Sequence, residues 1–201
     1  MAGEQGTDSP GGNSQAAKRD LRGRLTFARQ AHSSTYRQEI ACQLAETAAS
    51  VEALWVARRV ASYVSWPSEP GTEVLNANLL RGGVSLLLPA VGSDVDLRWS
   101  VVAPGEDVAS VGHKPSDDAT ALATADVVLV PALAVDSRGT RLGQGAGWYD
   151  RMLAFASAGA LLVAVVHDDE FFDAATAPLP REPHDRLVGA VLTPSAYRVL
   201  T

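Results

Sequence analysis

One cysteine, Cys42, is all that a chain of 201 residues carries. A single thiol can close no internal disulfide and build no thiolate metal cluster, which excludes a stapled secreted scaffold and fits a reducing cytoplasm. Cys42 lies in the helical pattern QEIACQLAE, where a small buried packing residue is expected. Long apolar runs are also missing: Pro, Gly or Asp breaks each of them before it could cross a bilayer. The opening MAGEQGTDSPGGNSQA, residues 1–16, has no apolar signal-peptide core and reads as a disordered polar tail. Basic residues are outnumbered, 17 against 23 acidic, so a net charge of −6 argues against nucleic acid or an anionic membrane as partner. No internal repeat breaks the chain into modules.

What remains suits one α/β domain over residues 17–201, long enough to bury a sizeable core. Apolar runs near 60–66, 84–91, 126–135, 160–166 and 187–193 are mostly continuous rather than alternating, as in strands covered on both faces. Helical patterns intervene at 71–81, 117–125 and 148–158, and two more precede the first strand, at 17–31 and through the 38–54 region. Alternation of strand and helix predicts a mainly parallel central sheet flanked by helices on both faces. DLRWSVVAPG, near 96–105, can add an antiparallel hairpin. On the first helix Leu21, Leu25 and Ala28 share one side, while Lys18, Arg22 and Arg29 recur on another at spacings of four and seven.

The chemistry concentrates in RLGQGAGWYDRML, residues 141–153, where three alternate glycines sit between the strand ending at Asp136 and a helix start. Glycine reaches backbone angles other residues avoid and lets the chain approach a ligand closely. Helix N-termini offer free N–H groups to phosphate, and the carboxyl ends of parallel strands are where open α/β sheets bind ligands. The spacing is neither a Walker loop nor the dinucleotide fingerprint, so a phosphate cradle and a purely structural turn both stay open. Arg141 supplies a guanidinium fork; Lys18 and Arg22 are either further cations or a solvated helix face. Asp150 suits Mg²⁺ beside phosphates or simply favours the helix start, and Asp136 is a second acid or a turn residue. His167, Asp168, Asp169 and Glu170 follow a strand and read best as an acidic turn opening a helix.

At these residues the chain closely resembles the 5-formyltetrahydrofolate cyclo-ligase family, from Lys18 to about Thr193. The family signature P-G-L-A-F-D, two residues, G-x-R-L-G-x-G-x-G-Y-Y-D-R stands here as Pro131–Asp136 followed by Gly139–Arg151, with Ala132, Val135 and Trp148 as departures. Its opening K-x-x-x-R is Lys18 and Arg22, with Arg29 matching a following arginine. Its tyrosine strand and E-x-x-T are Tyr63, Glu69 and Thr72, and its closing H-D is His184 and Asp185. The resemblance implies an ATP- and Mg²⁺-dependent closure of 5-formyltetrahydrofolate to 5,10-methenyltetrahydrofolate through a phosphorylated formyl group, releasing ADP and phosphate. Lys18 and Arg22 would then contact phosphates, while Arg141, Leu142, Gly143, Gln144, Gly145, Ala146, Gly147, Trp148 and Tyr149 wrap the nucleotide. Asp150 would hold Mg²⁺, Glu69 the pterin nitrogens, and Tyr63 and Trp148 the folate rings; Trp148 is otherwise a core residue. Arg22 and Arg141 would give electrostatic support, and no nucleophile-plus-histidine pair is needed. His184 reads as a structural hydrogen-bonder. Ala146 stands where some members carry lysine, GHKPSDD at 112–118 matches the family's F-G-I-x-E-P loop only roughly, and Gly189 replaces a common aspartate. Another ATP-using kinase or ligase on this scaffold, or a nucleotide- or folate-binding paralogue without turnover, are the competing readings. Monomer and homodimer are both compatible with the sequence.

Overall fold

The computed structural model describes residues 10–90, 98–111, 118–182 and 185–200. Three helices come first: α1 (Pro10–Gln30), α2 (Ser34–Ala49) and α3 (Glu52–Val56). Then follow β1 (Arg59–Ala61), α4 (Glu73–Arg81), β2 (Ser85–Pro89), β3 (Trp99–Val102), α5 (Val108–Val111) and β4 (Val127–Pro131). The second half holds β5 (Ala134–Asp136), β6 (Arg141–Leu142), α6 (Trp148–Leu153), β7 (Leu161–Val165), β8 (Phe171–Phe172), β9 (Ala190–Leu192) and β10 (Tyr197–Val199). The main sheet has the order β10-β9-β7-β4-β1-β2-β3, and its five inner strands run parallel. Both edges are antiparallel: β3 is the expected hairpin partner of β2, and β10, which the sequence pattern did not announce, folds back on β9.

The unbroken apolar runs have a direct cause. Along β4, Val127 and Leu129 pack into a core with α2, α3 and α4, whereas Val128 and Val130 enter a second core under α6. In β7, Val163 and Val165 join the first core and Leu162 and Ala164 the second. Alternate side chains point to opposite faces of a strand, so a strand covered twice must be apolar at every position.

Several expectations need correction. DVVLVPALAVD is not one strand; the backbone turns out of the main sheet at Ala132 and Leu133, and β5 joins a small second sheet ordered β6-β5-β8. Arg29 holds that bend through a 2.6 Å bond from Nη2 to the Ala132 carbonyl. Of the 60–66 run only the start is strand, because the Tyr63 carbonyl is taken by the Thr72 hydroxyl (2.6 Å) and the Asn76 amide (3.0 Å) instead of a neighbouring strand. Helix α1 begins at Pro10, seven residues before Ala17, with proline at the first helical position, where its missing N–H costs nothing. Residues 10–16 are therefore helical rather than tail, and residues 1–9 lie outside the described region. Cys42 is exposed on α2, while Ile40, Ala41, Leu44 and Ala45 make the buried face. Ala28 too is exposed, and its neighbour Arg29 is buried. Among the described residues no helix is long and apolar enough to cross a membrane.

Candidate active site

Helix α1 lies against the carboxyl end of β4. Leu21 and Leu25 pack on Leu133, Leu142 and Leu179 in a small third core, which brings the adjoining face of the helix to the glycine loop. Lys18, Arg22 and Arg29, at i, i+4 and i+11, come within 20° of one line on a helix at 100° per residue, so one face carries all three cations. Leu142 belongs to that core, and its side chain anchors the loop from below.

The glycines both turn the loop and admit close neighbours. Gly145 and Gly147 have φ of 105° and 66°, in the left-handed region that penalises a Cβ. Gly143 has no such angle, but a Cβ there would meet the Arg141 guanidinium at 2.8 Å. Reaching from α1, Arg22 donates Nε–H to the Gly143 carbonyl at 2.8 Å and lies 3.5 Å from where a Gly145 Cβ would sit. Two guanidinium groups thus press on the loop, next to the N-terminus of α6. Gln144, Gly145 and Ala146 are exposed, and the Ala146 carbonyl accepts from Arg151 at 3.2 Å.

Each of the outer cations already has a carboxylate. Arg141 pairs with Asp150, which is 38% exposed at its side chain. Lys18 is almost wholly buried and bonds Glu182 at 2.9 Å and Asp185 at 2.6 Å. Burial depresses the Lys18 pKa, but the bonds and charges of Asp185 and Glu182 outweigh it and hold the ammonium above its ordinary value. Lys18 is therefore neither a solvated face nor an unpaired cation. Asp136 takes the turn role: its buried carboxylate accepts the N–H groups of Arg138 (3.1 Å), Thr140 (2.9 Å) and Leu179 (3.1 Å). Gly189 precedes β9 beside Leu161 and Leu162, at the amino edge of the sheet, so the aspartate it replaces would stand at the end opposite the loop. His184 and residues 112–117 lie outside the described residues.

Beside the loop, the buried Glu69 accepts from the Trp66 N–H and from the Gln144 side-chain amide, both at 2.9 Å. Burial raises its pKa above the ordinary glutamate value, only partly offset by those two bonds. Tyr63 and Tyr149 complete this wall. Burial drives both phenol pKa values up, Glu69 adding its charge, and the Tyr63 hydroxyl has no partner among the described residues. Tyr149, expected on the nucleotide side, lies close enough to both Glu69 and Arg141 for each charge to act on its phenol. Trp148 stacks edge-on to Trp99 (5.8 Å between centroids) and Tyr149 (4.8 Å) and packs on the second core. Trp148 is half-buried, so packing on the core accounts for only part of its surface.

One residue pair escaped the sequence reading. Glu170, expected in a helix-opening turn, sits in a 3-10 turn at Asp168–Glu170 and is buried. Its carboxylate bonds Arg29 at both oxygens, 2.6 and 2.7 Å, and accepts the His167 N–H at 2.8 Å. An arginine at the helical spacing of Lys18 and Arg22 was the available signal.

For a metal, no group of three His, Cys, Asp or Glu side chains converges among the described residues. Mg²⁺ needs less: one or two carboxylates with phosphate and water oxygens complete its shell. A part-exposed carboxylate at the head of α6, beside the amide cradle, fits that demand.

A family model described as the 5-formyltetrahydrofolate cyclo-ligase family matches residues 14–194. A 5-formyltetrahydrofolate cyclo-ligase of Mycolicibacterium smegmatis is 46% identical over 147 residues, 68% of this chain and 74% of that protein. The Escherichia coli K12 protein of the same name is 30% identical over 176 residues, 83% of this chain and 94% of its own. Among solved structures, the 5,10-methenyltetrahydrofolate synthetase of Aquifex aeolicus superposes with a TM-score of 0.71 at 24% identity, covering 91% of this chain and 92% of that one. The Mycoplasma pneumoniae synthetase gives 0.67 at 17% identity, covering 87% and 97%. Those two likenesses establish a shared fold; the extent of the family match and the identity to the curated relatives place this chain in the 5-formyltetrahydrofolate cyclo-ligase family.

Proposed function

We propose that this protein converts 5-formyltetrahydrofolate to 5,10-methenyltetrahydrofolate, consuming ATP in the presence of Mg²⁺. The observation that carries the reading is the Gln144–Glu69 bond at 2.9 Å. Gln144 belongs to the glycine loop and Glu69 to the tyrosine-lined wall, so a phosphate held by the first lies beside a pterin held by the second. The Gln144 amide bonds the same Glu69 oxygen that a pterin N–H donor would take.

A formamide oxygen is a weak leaving group, and its carbon a weak electrophile. Transfer of the γ-phosphoryl group to that oxygen breaks the bond to ADP and leaves an activated imidate. The N10 lone pair then attacks the formyl carbon, the carbon–oxygen bond breaks, phosphate departs and N10 loses its proton. Little covalent chemistry falls to the protein, whose work is alignment and charge neutralisation. Loop N–H groups, Arg22 and Arg141 surround the phosphates. Ionised Glu69 fixes the pterin, and the buried Tyr63 with the half-buried Tyr149 excludes water. Asp150 would hold Mg²⁺, which supplies positive charge to the phosphate oxygens. Lys18 orders Glu182 and Asp185 at the rim.

The test incubates purified protein with 5-formyltetrahydrofolate, Mg²⁺ and ATP and follows the near-ultraviolet absorbance of the methenyl product. Product that appears only with ATP supports the reading. ATP hydrolysis driven by other acceptors points to a different kinase or ligase, and binding without turnover to a non-catalytic member.

A further inference from the structure

Arg29 reaches past its partners. Its Nε and Nη2 are spent on Glu170 and Ala132, but Nη1 is buried without a hydrogen-bond partner among the described residues. A buried guanidinium N–H left unpaired is costly, and such a group on a cavity wall is a donor awaiting an acceptor. Arg29 lines a cavity of about 420 Å³ together with Arg37, Trp66, Ser68 and Gln144. Arg37, half-buried, donates Nε–H (3.2 Å) and Nη2–H (2.9 Å) to the His32 carbonyl and has no carboxylate partner among the described residues. Trp66 leaves 72% of its surface exposed at the rim.

The geometry points to this cavity as the seat of the substrate's p-aminobenzoyl-glutamyl tail, with Arg37 as the residue that reads its carboxylates. This assignment rests on the proposed ring closure. Gln144 lines the cavity and bonds Glu69, so a pterin on Glu69 puts its substituent within reach. Trp66 offers an indole face to the benzoyl ring, Arg37 an uncompensated charge, and Arg29 Nη1 a fixed donor to a carbonyl or carboxylate oxygen. A larger cavity of about 810 Å³, between α4 and residues 105–109, is lined by Glu73, Glu106 and Asp107 against the single cation Arg81, an acidic excess that disfavours carboxylates. Of these two cavities, the one at Arg37 matches the charge of the tail.

The experiment compares kcat/KM for 5-formyltetrahydrofolate, its γ-triglutamate and a tail-less 5-formyltetrahydropterin, in the native protein and in Arg37→Gln. Loss of one charge-assisted contact should reduce the preference for tail-bearing over tail-less substrate about tenfold. Arg37→Lys, which keeps the charge and loses the paired bonds to His32, should retain most of that preference. Equal loss on all three substrates, no loss on any, or the same loss in both variants overturns the assignment. If no folate yields product, the ring-closure reading fails by itself. Calorimetry with p-aminobenzoylglutamate then still decides the tail site: weaker binding to Arg37→Gln than to the native protein supports it, and equal binding refutes it.

Discussion

Gly143→Ala separates the cradle from the fold. Gly143 has an ordinary φ, so alanine adds no backbone strain there, and removing a glycine from the unfolded chain stabilises by roughly 0.4–1 kcal/mol. The new Cβ would meet Arg141 Nη1 at 2.8 Å, whereas ordinary contact begins at 3.4 Å. The guanidinium must therefore retreat by about 0.6 Å, away from the loop and out of register with Asp150. Misplacing a catalytic contact by about 1 Å can cost on the order of 100-fold, so a tenfold to hundredfold fall in kcat/KM for ATP is expected. Thermal unfolding should shift by no more than about 2 °C, because entropy gain and crowding oppose each other in a chain of this size. Initial rates of methenyl formation at varied ATP, with a thermal melt of the same sample, measure both. A melt near the native value with unchanged ATP kinetics would mean that Arg141 takes no part in holding phosphate.

Gly147→Ala forces a left-handed alanine at φ 66° and should cost about 1–2 kcal/mol, lowering the melting temperature by several degrees. Arg22→Ala should raise the ATP KM or lower kcat with folate affinity little changed, checked by separate ATP and folate titrations. Glu170→Gln strands the buried Arg29 charge; the expected loss of about 3–5 kcal/mol, seen in denaturant melts, far exceeds what an exposed ion pair yields. Glu69 has a pKa raised by burial, so its ionised form is the unfavourable one in the folded state and the associated stability is lost as pH rises through that value. Glu69→Gln should therefore melt no lower than the native protein at pH 7 while its folate KM rises steeply. In the native protein folate KM should climb as pH falls through the raised pKa, and a flat profile would count against Glu69 as the pterin acceptor.

The sheet was legible because burial on both faces leaves no choice of residue: β4 and β7 are apolar at nearly every position, and that shows in one dimension. The glycine loop was legible for a similar reason, since positive φ at Gly145 and Gly147 and crowding at Gly143 each dictate glycine. Side-chain pairs formed across the chain left no such trace. Lys18 meets Glu182 and Asp185 more than 160 positions away, and Arg29 meets Glu170 after 141, so periodicity gave the face that holds them but not the partner. The bend at Ala132 and Leu133 was hidden because both are apolar and buried, like the strand residues around them. Trp148 and Tyr149 both pack on the second core with half-buried rings, and only the charges acting on Tyr149 tie it to Glu69, a relation that adjacency in sequence does not reveal.

The pairing of the cations carries a consequence for the proposed chemistry. Around the loop, Lys18, Arg22 and Arg141 stand against Glu182, Asp185 and Asp150, three charges of each sign. The paired carboxylates explain how Lys18 and Arg141 can be buried. A polyphosphate entering it finds no net positive charge to meet its own. Two changes would restore the balance: Arg141 would exchange Asp150 for phosphate oxygens, and the released carboxylate would be left to hold Mg²⁺, which would supply positive charge there. Asp150 is the counter-ion that lets Arg141 lie buried, and the same residue is the one that would hold the metal.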